Sequence, residues 1–137
     1  MSLSNVFDVA GSAMNAQSVR LNVTASNLAN AGSVHGDPTR VYRAQQPVFE
    51  SFTTALAEQN GTAGVRLAGI VASSAPLDVQ YRPDHPDANE DGNVYVSNVN
   101  TVEEMVNMLS ASRSYQNSIE LMNTTKDLLL QTLSLGR

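Results

Sequence analysis

Residues 101–135 read TVEEMVNMLSASRSYQNSIELMNTTKDLLLQTLSL, and this stretch decides the architecture of the chain. Mostly apolar side chains recur in it at spacings of three and four residues, the period of an amphipathic α-helix whose stripe faces another helix. The predicted stripe consists of Met105, Met108, Ser112, Tyr115, Ile119, Met122, Lys126, Leu129 and Leu133. Because an α-helix rises about 1.5 Å per residue, this helix would be about 50 Å long.

The beginning of this helix carries a start signal. Thr101 with Glu104 three residues later fits a capping box, in which the hydroxyl and the carboxylate satisfy free backbone amides. The acids Glu103 and Glu104 in the first turn, and Arg137 at the far end, also suit the helix dipole. The sequence therefore predicts a helix over 101–135 with Thr101 at its cap.

A second helix is predicted in residues 3–28, where the same alternation of spacings recurs. Its stripe consists of Leu3, Phe7, Ala10, Met14, Gln17, Leu21, Thr24 and Leu28, with Gln17 and Thr24 as polar interruptions. The opposite face is polar but almost uncharged. Asn30-Ala31-Gly32 follows as a stop signal, because asparagine and glycine accept the left-handed conformation that ends many helices.

The middle of the chain has no helical period. Strand-like alternation runs over 65–71 and 77–82 and, more briefly, over 94–96. A loop is expected over 59–64, around Asn60-Gly61, and no regular structure over 83–92. Three or four short strands are predicted, with their pairing left open.

These patterns predict an α+β fold in three parts. Residues 1–30 and 99–137 form long terminal helices that pair as a coiled-coil-like layer, and residues 31–98 form a small β-rich insert with an acidic loop. The chain has 137 residues, a length that suits one domain. It contains no cysteine, so a thiolate metal site and a disulfide are both impossible.

Charge is scarce and unevenly placed. Only 15% of the residues are charged, against about 25% in an average soluble domain, and the net charge is −5. Most of the net negative charge comes from residues 84–91, whereas residues 1–30 carry only Asp8 and Arg20. An acidic chain without a clustered basic face is not expected to bind nucleic acid. No apolar run is long enough to predict a transmembrane helix.

The predicted C-terminal helix is too long for the rest of the molecule. A compact insert of the size of residues 31–98 is roughly 25 Å across, so a 50 Å helix must project beyond it. Two interpretations remain open at this point. The chain is either a monomeric helical hairpin that caps a small sheet, or a subunit whose terminal helices are completed by its neighbours.

Candidate chemical sites are weak. Residues 87–92 match the first six positions of a calcium-binding EF-hand loop, but Asn98 stands where a bidentate glutamate is required. His35 and His85 lack ligand spacing to a second strong donor, so surface loops are the better interpretation. Neither a phosphate loop nor a nucleophile elbow or triad can be assembled. We therefore predict no enzyme, no metal and no cofactor.

Several stretches resemble bacterial flagellar axial proteins. Residues 21–31, LNVTASNLANA, resemble the N-terminal signature that rod, hook and filament-junction proteins share. More specific stretches look like the short subunits of the proximal rod: residues 81–89, 98–100, 103–108, 111–116 and 132–137. The chain departs from that pattern at Asn93, at Ser97 and over 116–118.

The resemblance implies a structural subunit of the flagellar basal-body rod, a hollow shaft that crosses the periplasm and transmits torque. Its partners would be further copies of itself, other rod proteins, the flagellar type III export apparatus, and the membrane ring at the rod base. Export would need no cleaved signal peptide, and residues 1–5 indeed show no basic signal-peptide start. The subunit interface would use the two helices through Leu3, Phe7, Ala10, Met14, Leu21, Asn27, Leu28, Asn30, Met105, Met108, Tyr115, Ile119, Met122, Leu129 and Leu133.

An alternative belongs to a different class of protein. A helical hairpin that presents its acidic loop, Asp84–Asp91, to a cationic or metal ligand would be a soluble binding module or adaptor. Alanine substitutions in that loop would abolish the activity of a binding module, whereas a charge placed on a packed helix stripe would abolish the assembly of a structural subunit.

Overall fold

The computed structural model describes residues 3–53 and 63–135, and side chains from residue 5 onward. Its elements follow in the order α1 (Leu3–Asn30), β1 (Val34–His35), β2 (Gln45–Phe52), β3 (Gly64–Ala72), β4 (Asp78–Tyr81), β5 (Asn93–Val96) and α2 (Thr101–Leu135). The α+β class is as predicted, with two long terminal helices around a small β-rich insert. The bounds of α2 agree with the predicted 101–135.

The two helices pack against each other. Arg20 and Thr24, late in α1, line the same groove as Glu104 and Asn107, early in α2. The helices therefore run antiparallel, and the end of α2 lies near the beginning of α1. No helix among the described residues is long and apolar enough to cross a membrane.

The insert contains two small antiparallel sheets. In the first, the strand order is β1-β5-β4, and Val34 and Asp78 both pair with Val96 of the central strand. Val94 of that strand is fully buried. The second sheet pairs β2 with β3 and packs on α1. There the Ser12 hydroxyl of α1 accepts a hydrogen bond from the Val65 amide at 3.2 Å, which fixes one end of β3 to the helix.

Three predicted strands are found and two others were missed. The alternations over 65–71, 77–82 and 94–96 correspond to β3, β4 and β5. β2 was missed because Pro47 lies inside it, and a proline usually argues against a strand. A two-stranded sheet has only edge strands, so the missing amide of Pro47 is tolerated; the register shifts immediately afterwards, between Val48 and Phe49. β1 has only two residues, too few for a visible alternation.

The predicted loop over 59–64 lies mostly outside the described residues. Its last position, Gly64, already belongs to β3. The segment 83–92 contains turns and no helix or strand, as expected. The division into residues 1–30, 31–98 and 99–137 remains a prediction about domains.

The start of α2 differs from the predicted capping box. The residue that caps the helix is Asn100, whose side-chain oxygen accepts hydrogen bonds from the amides of Val102 at 3.1 Å and Glu103 at 3.3 Å. Thr101 is the first residue inside the helix. Threonine and asparagine are both good caps, and the sequence supported the wrong one because the Thr101–Glu104 spacing imitates a capping box.

α1 ends at Asn30 as expected, but the way in which the helix terminates differs from the prediction. Among the described residues only Gly92 has a positive φ, so neither Asn30 nor Gly32 takes the left-handed conformation. Instead the chain leaves the helix through a turn in which the Ser33 amide donates to the Asn30 carbonyl at 3.0 Å. The Asn30 side chain donates back to the Ser26 carbonyl at 2.8 Å.

The core of the described chain is made of small side chains. Its buried apolar residues are only alanines and valines: Ala10, Ala16, Val23, Val41, Ala44, Val94 and Ala111. Within the described residues no leucine, isoleucine, methionine or phenylalanine is buried. Large apolar side chains are instead exposed, and more than half of them lie on α2: Val102, Met105, Val106, Leu109, Ile119, Leu121, Leu128, Leu129, Leu130, Leu133 and Leu135.

Candidate subunit interface

The stripe by which α2 faces α1 coincides with the predicted stripe at some positions and is displaced by one residue at others. Met108, Tyr115 and Met122 are half-buried, as a helix-facing stripe requires. Ala111 and Thr125 are buried and Glu104 and Ser118 are half-buried, whereas the predicted positions Met105, Ile119 and Lys126 are exposed. Ser112 is half-buried at the margin.

Small side chains, rather than large apolar ones, occupy three of these positions. Ala111, Ser118 and Thr125 recur every seven residues and let the two helices approach closely, because interaxial distance depends on the side chains at the contact. The hydroxyls of Ser118 and Thr125 donate to the carbonyls four residues earlier, at 3.0 and 2.7 Å. Their polar atoms are therefore satisfied inside their own helix. A seven-residue repeat of small residues was the signal that could have identified the stripe.

The buried face of α1 is likewise small and partly polar. Ala10, Ala16, Val23, Thr24 and Asn27 are buried. The other predicted interface residues of α1, namely Phe7, Met14, Leu21, Leu28 and Asn30, are half-buried, and the Leu3 side chain lies outside the described part of the chain. Thr24, predicted as a polar member of the stripe, is buried there, with its hydroxyl donating to the Arg20 carbonyl at 2.6 Å.

α2 extends beyond the part that α1 covers. Thr125 is its last buried residue, and every residue from Lys126 to Leu135 is exposed. We call residues 126–135 the C-terminal overhang; at about 1.5 Å per residue it is roughly 15 Å long. Its apolar side chains are Leu128, Leu129, Leu130, Leu133 and Leu135.

A second uncovered apolar surface lies at the other end of α2. Val102, Met105, Val106 and Leu109 are all more than half exposed and share one side of the helix, since they stand at positions i, i+3, i+4 and i+7. We call these four residues the start patch. Single exposed apolar residues are ordinary, but contiguous ones mark an interaction surface.

Residues 21–31, at the end of α1, form a junction with the insert. Asn27 is almost completely buried, at 1% exposure. Its side-chain oxygen accepts from the amide of Gln45 and the hydroxyl of Tyr42, and its nitrogen donates to the Gln45 carbonyl, each at 2.9 Å. Tyr42 also shares a 3.1 Å hydrogen bond with Ser26. The predicted interface residue Asn27 is thus used within the subunit.

Asn98 makes the corresponding junction before α2. Its side-chain oxygen accepts from the Ala44 amide at 2.8 Å, and its nitrogen donates to the Ala75 carbonyl at 3.0 Å. Arg43 donates to the same Ala75 carbonyl, also at 3.0 Å. These bonds tie the segment that precedes β2 to the segment that precedes α2, so the two helices and the insert are fixed relative to one another.

A groove of about 470 Å³ opens beside this junction. Arg20, Gln46 and Phe49 line it together with Glu103 and Asn107 of the first turns of α2. Arg20 donates to Gln17 within α1 at 3.3 Å. Nothing in this lining groups into a catalytic arrangement.

The acidic loop is held by its own turns. The ring nitrogen Nδ1 of His85 accepts from the Asp87 amide at 3.1 Å, and Asn89 accepts from the amides of Asp91 and Asn93 at 3.0 and 2.8 Å. Asn98, the position of an EF-hand glutamate, is occupied by its junction bonds. In the described ranges no three histidine, aspartate or glutamate side chains are close enough to hold a metal ion.

His35 repeats the arrangement of His85. Its Nδ1 accepts from the Asp37 amide at 2.9 Å. Hydrogen bonds from the Thr39 hydroxyl and amide lower the pKa of Asp37 below its ordinary value. Gly36, between these residues, lies against the backbone of Asp87 and Asn89, so the two histidine-containing loops pack together.

Comparisons with known proteins define the class. Residues 7–36 match the family described as flagella basal body rod protein. Residues 90–135 match the family described as flagellar basal body rod FlgEFG protein C-terminal. The matches cover most of α1 and all of α2, so this architecture is that of flagellar basal-body rod proteins.

Full-length relatives define the family within that class. The chain is 51% identical over 137 residues to flagellar basal-body rod protein FlgC of Salmonella typhimurium, and 52% identical over 139 residues to that of Yersinia enterocolitica, with 100% of both chains covered in each case. FlgC of Buchnera aphidicola from Acyrthosiphon pisum is 43% identical, with 99% coverage of both. The chain belongs to the FlgC family of flagellar basal-body rod proteins, which confirms the resemblance stated from its sequence.

Proposed function

We propose that this protein is a structural subunit of the proximal rod of the flagellar basal body, polymerising through its terminal helices into a hollow shaft that transmits torque across the periplasm. The observation that carries the proposal is that small apolar side chains form the core whereas large apolar side chains lie on the surface. Buried apolar side chains are alanines and valines, whereas the leucines of α2 and Met105 are exposed. A subunit that finishes its core in an assembly is built in this way.

The energetics favour association. Burying one large aliphatic side chain contributes about 1.5–3 kcal/mol, and association must offset the loss of translational and rotational freedom, about 4–15 kcal/mol. Five leucines of the C-terminal overhang and four residues of the start patch together supply enough apolar surface for that. The scarcity of charge on both helices lowers the cost of burying them.

Family membership supports association with other components of the flagellar basal body. We propose that the subunit contacts further copies of itself and other rod proteins, and that it meets the flagellar export apparatus and the membrane ring at the rod base. It would reach the periplasm through the type III route without cleavage of a signal peptide. The terminal helices would form the inner, coiled-coil-like layer of the shaft, and the insert would lie outside.

The test is a charge placed on an uncovered leucine. Leu129→Asp should abolish motility and remove the subunit from isolated basal bodies, because the carboxylate would be desolvated at an interface. Asn123→Asp, an exposed polar position on the same helix, is the matched control and should leave both unchanged. Circular dichroism of the purified variants checks that α2 still forms.

Substitution of the acidic loop separates this proposal from that of a binding module. Alanine at Asp84, Asp87 and Asp91, all exposed, should leave rods intact. Loss of function in that triple variant with normal rods, together with normal function in Leu129→Asp, would contradict the structural role.

A further inference from the structure

We propose that the contact between residues 35–37 and residues 85–89 is pH-sensitive. While the rings of His35 and His85 are neutral, this contact holds the acidic loop against the end of β1, and protonation of both rings releases the loop. We call it the histidine contact. It belongs to the fold of the insert, so the inference does not depend on the proposed rod function.

Each ring accepts a hydrogen bond that only an unprotonated ring nitrogen can accept. Nδ1 of His35 accepts from the Asp37 amide at 2.9 Å, and Nδ1 of His85 accepts from the Asp87 amide at 3.1 Å. The proton of each neutral imidazole is therefore on Nε2. In a protonated ring both nitrogens are donors, so neither amide keeps its acceptor.

The two turns that these bonds close touch each other at Gly36. A Cβ atom placed on Gly36 would collide with the Asp87 carbonyl oxygen and would lie 3.1 Å from the Asn89 amide nitrogen. Asp87, whose amide binds the His85 ring, is thus also the residue against which the other turn packs. A change in either turn therefore moves the backbone that forms the histidine contact.

The charged form of His85 has a second partner in the same residue. Its Nδ1 lies 3.9 Å from the Asp87 carboxylate, which is too far for a hydrogen bond but close enough to form one after a small rotation. Protonation would therefore exchange the amide of Asp87 for its carboxylate. Oδ1 of Asp37 is already engaged, because it accepts from the hydroxyl and the amide of Thr39 at 2.7 and 2.8 Å. Protonation of His35 thus removes a hydrogen bond without an equally free replacement.

The surroundings of the rings set the direction of the change. Both rings are half-buried. The titratable and charged groups beside them, along the chain and across the sheet, are Asp37, Arg40, Tyr81, Arg82, Asp84, Asp87, Glu90, Asp91 and Tyr95. Carboxylates outnumber guanidinium groups among these, so the surroundings accept a charged ring. The amide bonds are present above the pH range in which histidine gains its proton and are lost as pH falls through it.

Nuclear magnetic resonance of the full chain, at about pH 7.5 and about pH 5.5, tests the inference. The nitrogen-15 shifts of both rings should show Nδ1 without a proton at the higher pH and with one at the lower. Nuclear Overhauser effects between backbone protons of Gly36 and Asn89 should lose most of their intensity at the lower pH. Those between Glu50 and Arg66, which pair in the other sheet, are the internal control and should stay constant.

Asparagine in place of both histidines separates ring protonation from other effects of acid. Asn89 shows that asparagine can form this turn, since its side-chain oxygen accepts from the Asp91 amide two residues later at 3.0 Å. A variant with His35→Asn and His85→Asn keeps both acceptors but cannot gain the proton. Its Gly36–Asn89 Overhauser effects should be equal at the two pH values.

Three outcomes would overturn the inference. A proton on Nδ1 of either ring at the higher pH would contradict the acceptor geometry. Unchanged Gly36–Asn89 effects after both rings are protonated would show that the loops stay joined. Equal loss of these effects in the asparagine variant would assign the change to the carboxylates instead of the histidines. The first two outcomes are read from the unsubstituted chain, so they decide the question even where the variant does not fold.

Discussion

The side-chain amide of Asn27 on α1 pairs with both the backbone amide and the backbone carbonyl of Gln45 at the start of β2, at 2.9 Å each. The Asn27 side chain thus forms the pair of hydrogen bonds with Gln45 that the backbone of a neighbouring strand would form. It sits at 1% exposure, where an unpaired polar group is costly. This pair connects the helical layer to the insert and sets the direction in which the insert leaves α1.

Removing that amide should loosen the junction. We expect Asn27→Ala to lower the free energy of unfolding by about 2–4 kcal/mol, because it removes the side-chain partner of both backbone groups of Gln45 and one of the two partners of the Tyr42 hydroxyl. Chemical denaturation measures the change. Asn22→Ala, an exposed asparagine of the same helix, is the control and should change stability by less than about 0.5 kcal/mol. Equal effects of the two would show that the junction contributes nothing.

The cap of α2 gives a second prediction. Asn100→Ala should destabilise the fold by about 1 kcal/mol, since it removes the acceptor for the amides of Val102 and Glu103. Thr101→Ala should cost little, because Thr101 is already inside the helix. Thermal unfolding followed by circular dichroism compares the two variants. A larger loss of stability in Thr101→Ala than in Asn100→Ala would support the capping box and contradict the Asn100 cap.

Alanine substitutions at two glycines should change the stability of the fold in opposite directions. Gly36→Ala would drive a methyl group into the Asp87 backbone carbonyl, and we expect a loss of about 1–3 kcal/mol from the forced displacement. Gly11→Ala lies in a helix with open space around the new methyl group and should stabilise by about 0.5–1 kcal/mol. Denaturant midpoints with unchanged slopes would measure both. Stabilisation by Gly36→Ala would contradict the close packing of the two histidine-containing loops.

The C-terminal overhang should be the least protected part of α2 before assembly. In the dilute chain we expect amides of residues 126–135 to exchange with solvent faster than those of residues 108–125, because α1 does not cover them. Hydrogen exchange followed by mass spectrometry of peptides measures this. Incorporation into rods should slow exchange in the overhang. Equal protection along the whole helix in the dilute chain would contradict this account.

Acid should reveal the hydrogen bonds at Asp37. Its pKa is lowered chiefly by the Thr39 hydroxyl, so this interaction stabilises the fold above the ordinary carboxyl pKa and is lost as pH falls through the lowered value. Thr39→Val removes the hydroxyl and should raise the Asp37 pKa toward its ordinary range. A pH titration of the carboxyl resonance by NMR measures the shift. An unchanged pKa would mean that the backbone amide alone accounts for it.

Much of the fold could be predicted because the spacing of apolar residues and the positions of turn-forming residues are local properties of the sequence. The bounds of α2, the end of α1 at Asn30 and the positions of β3, β4 and β5 followed from spacing and turn residues. β2 could not be found, because its tolerance of Pro47 depends on belonging to a two-stranded sheet. The choice between Thr101 and Asn100 as the cap also depended on where the chain enters the helix.

The phase of the helix-facing stripe needed the tertiary structure. Hydrophobicity favoured Met105 and Ile119, yet close approach of two helices selects Ala111, Ser118 and Thr125, whose hydroxyls bond within their own helix. The same choice turned larger apolar residues outward. The sequence indicated that α2 has apolar residues to bury, whereas only the structure distinguished those that α1 buries from those that remain for another subunit.

By itself the sequence determined the two long helices, the α+β class, the shortage of charge and the flagellar rod family, because each is written in local spacing or in shared motifs. Only the tertiary structure decided that Asn27 and Asn98 bond the insert to the helices, that small side chains form the core, and that α2 projects beyond α1 at Lys126. These depend on contacts between residues far apart in the chain, and their geometry is fixed only when the helices and strands pack together.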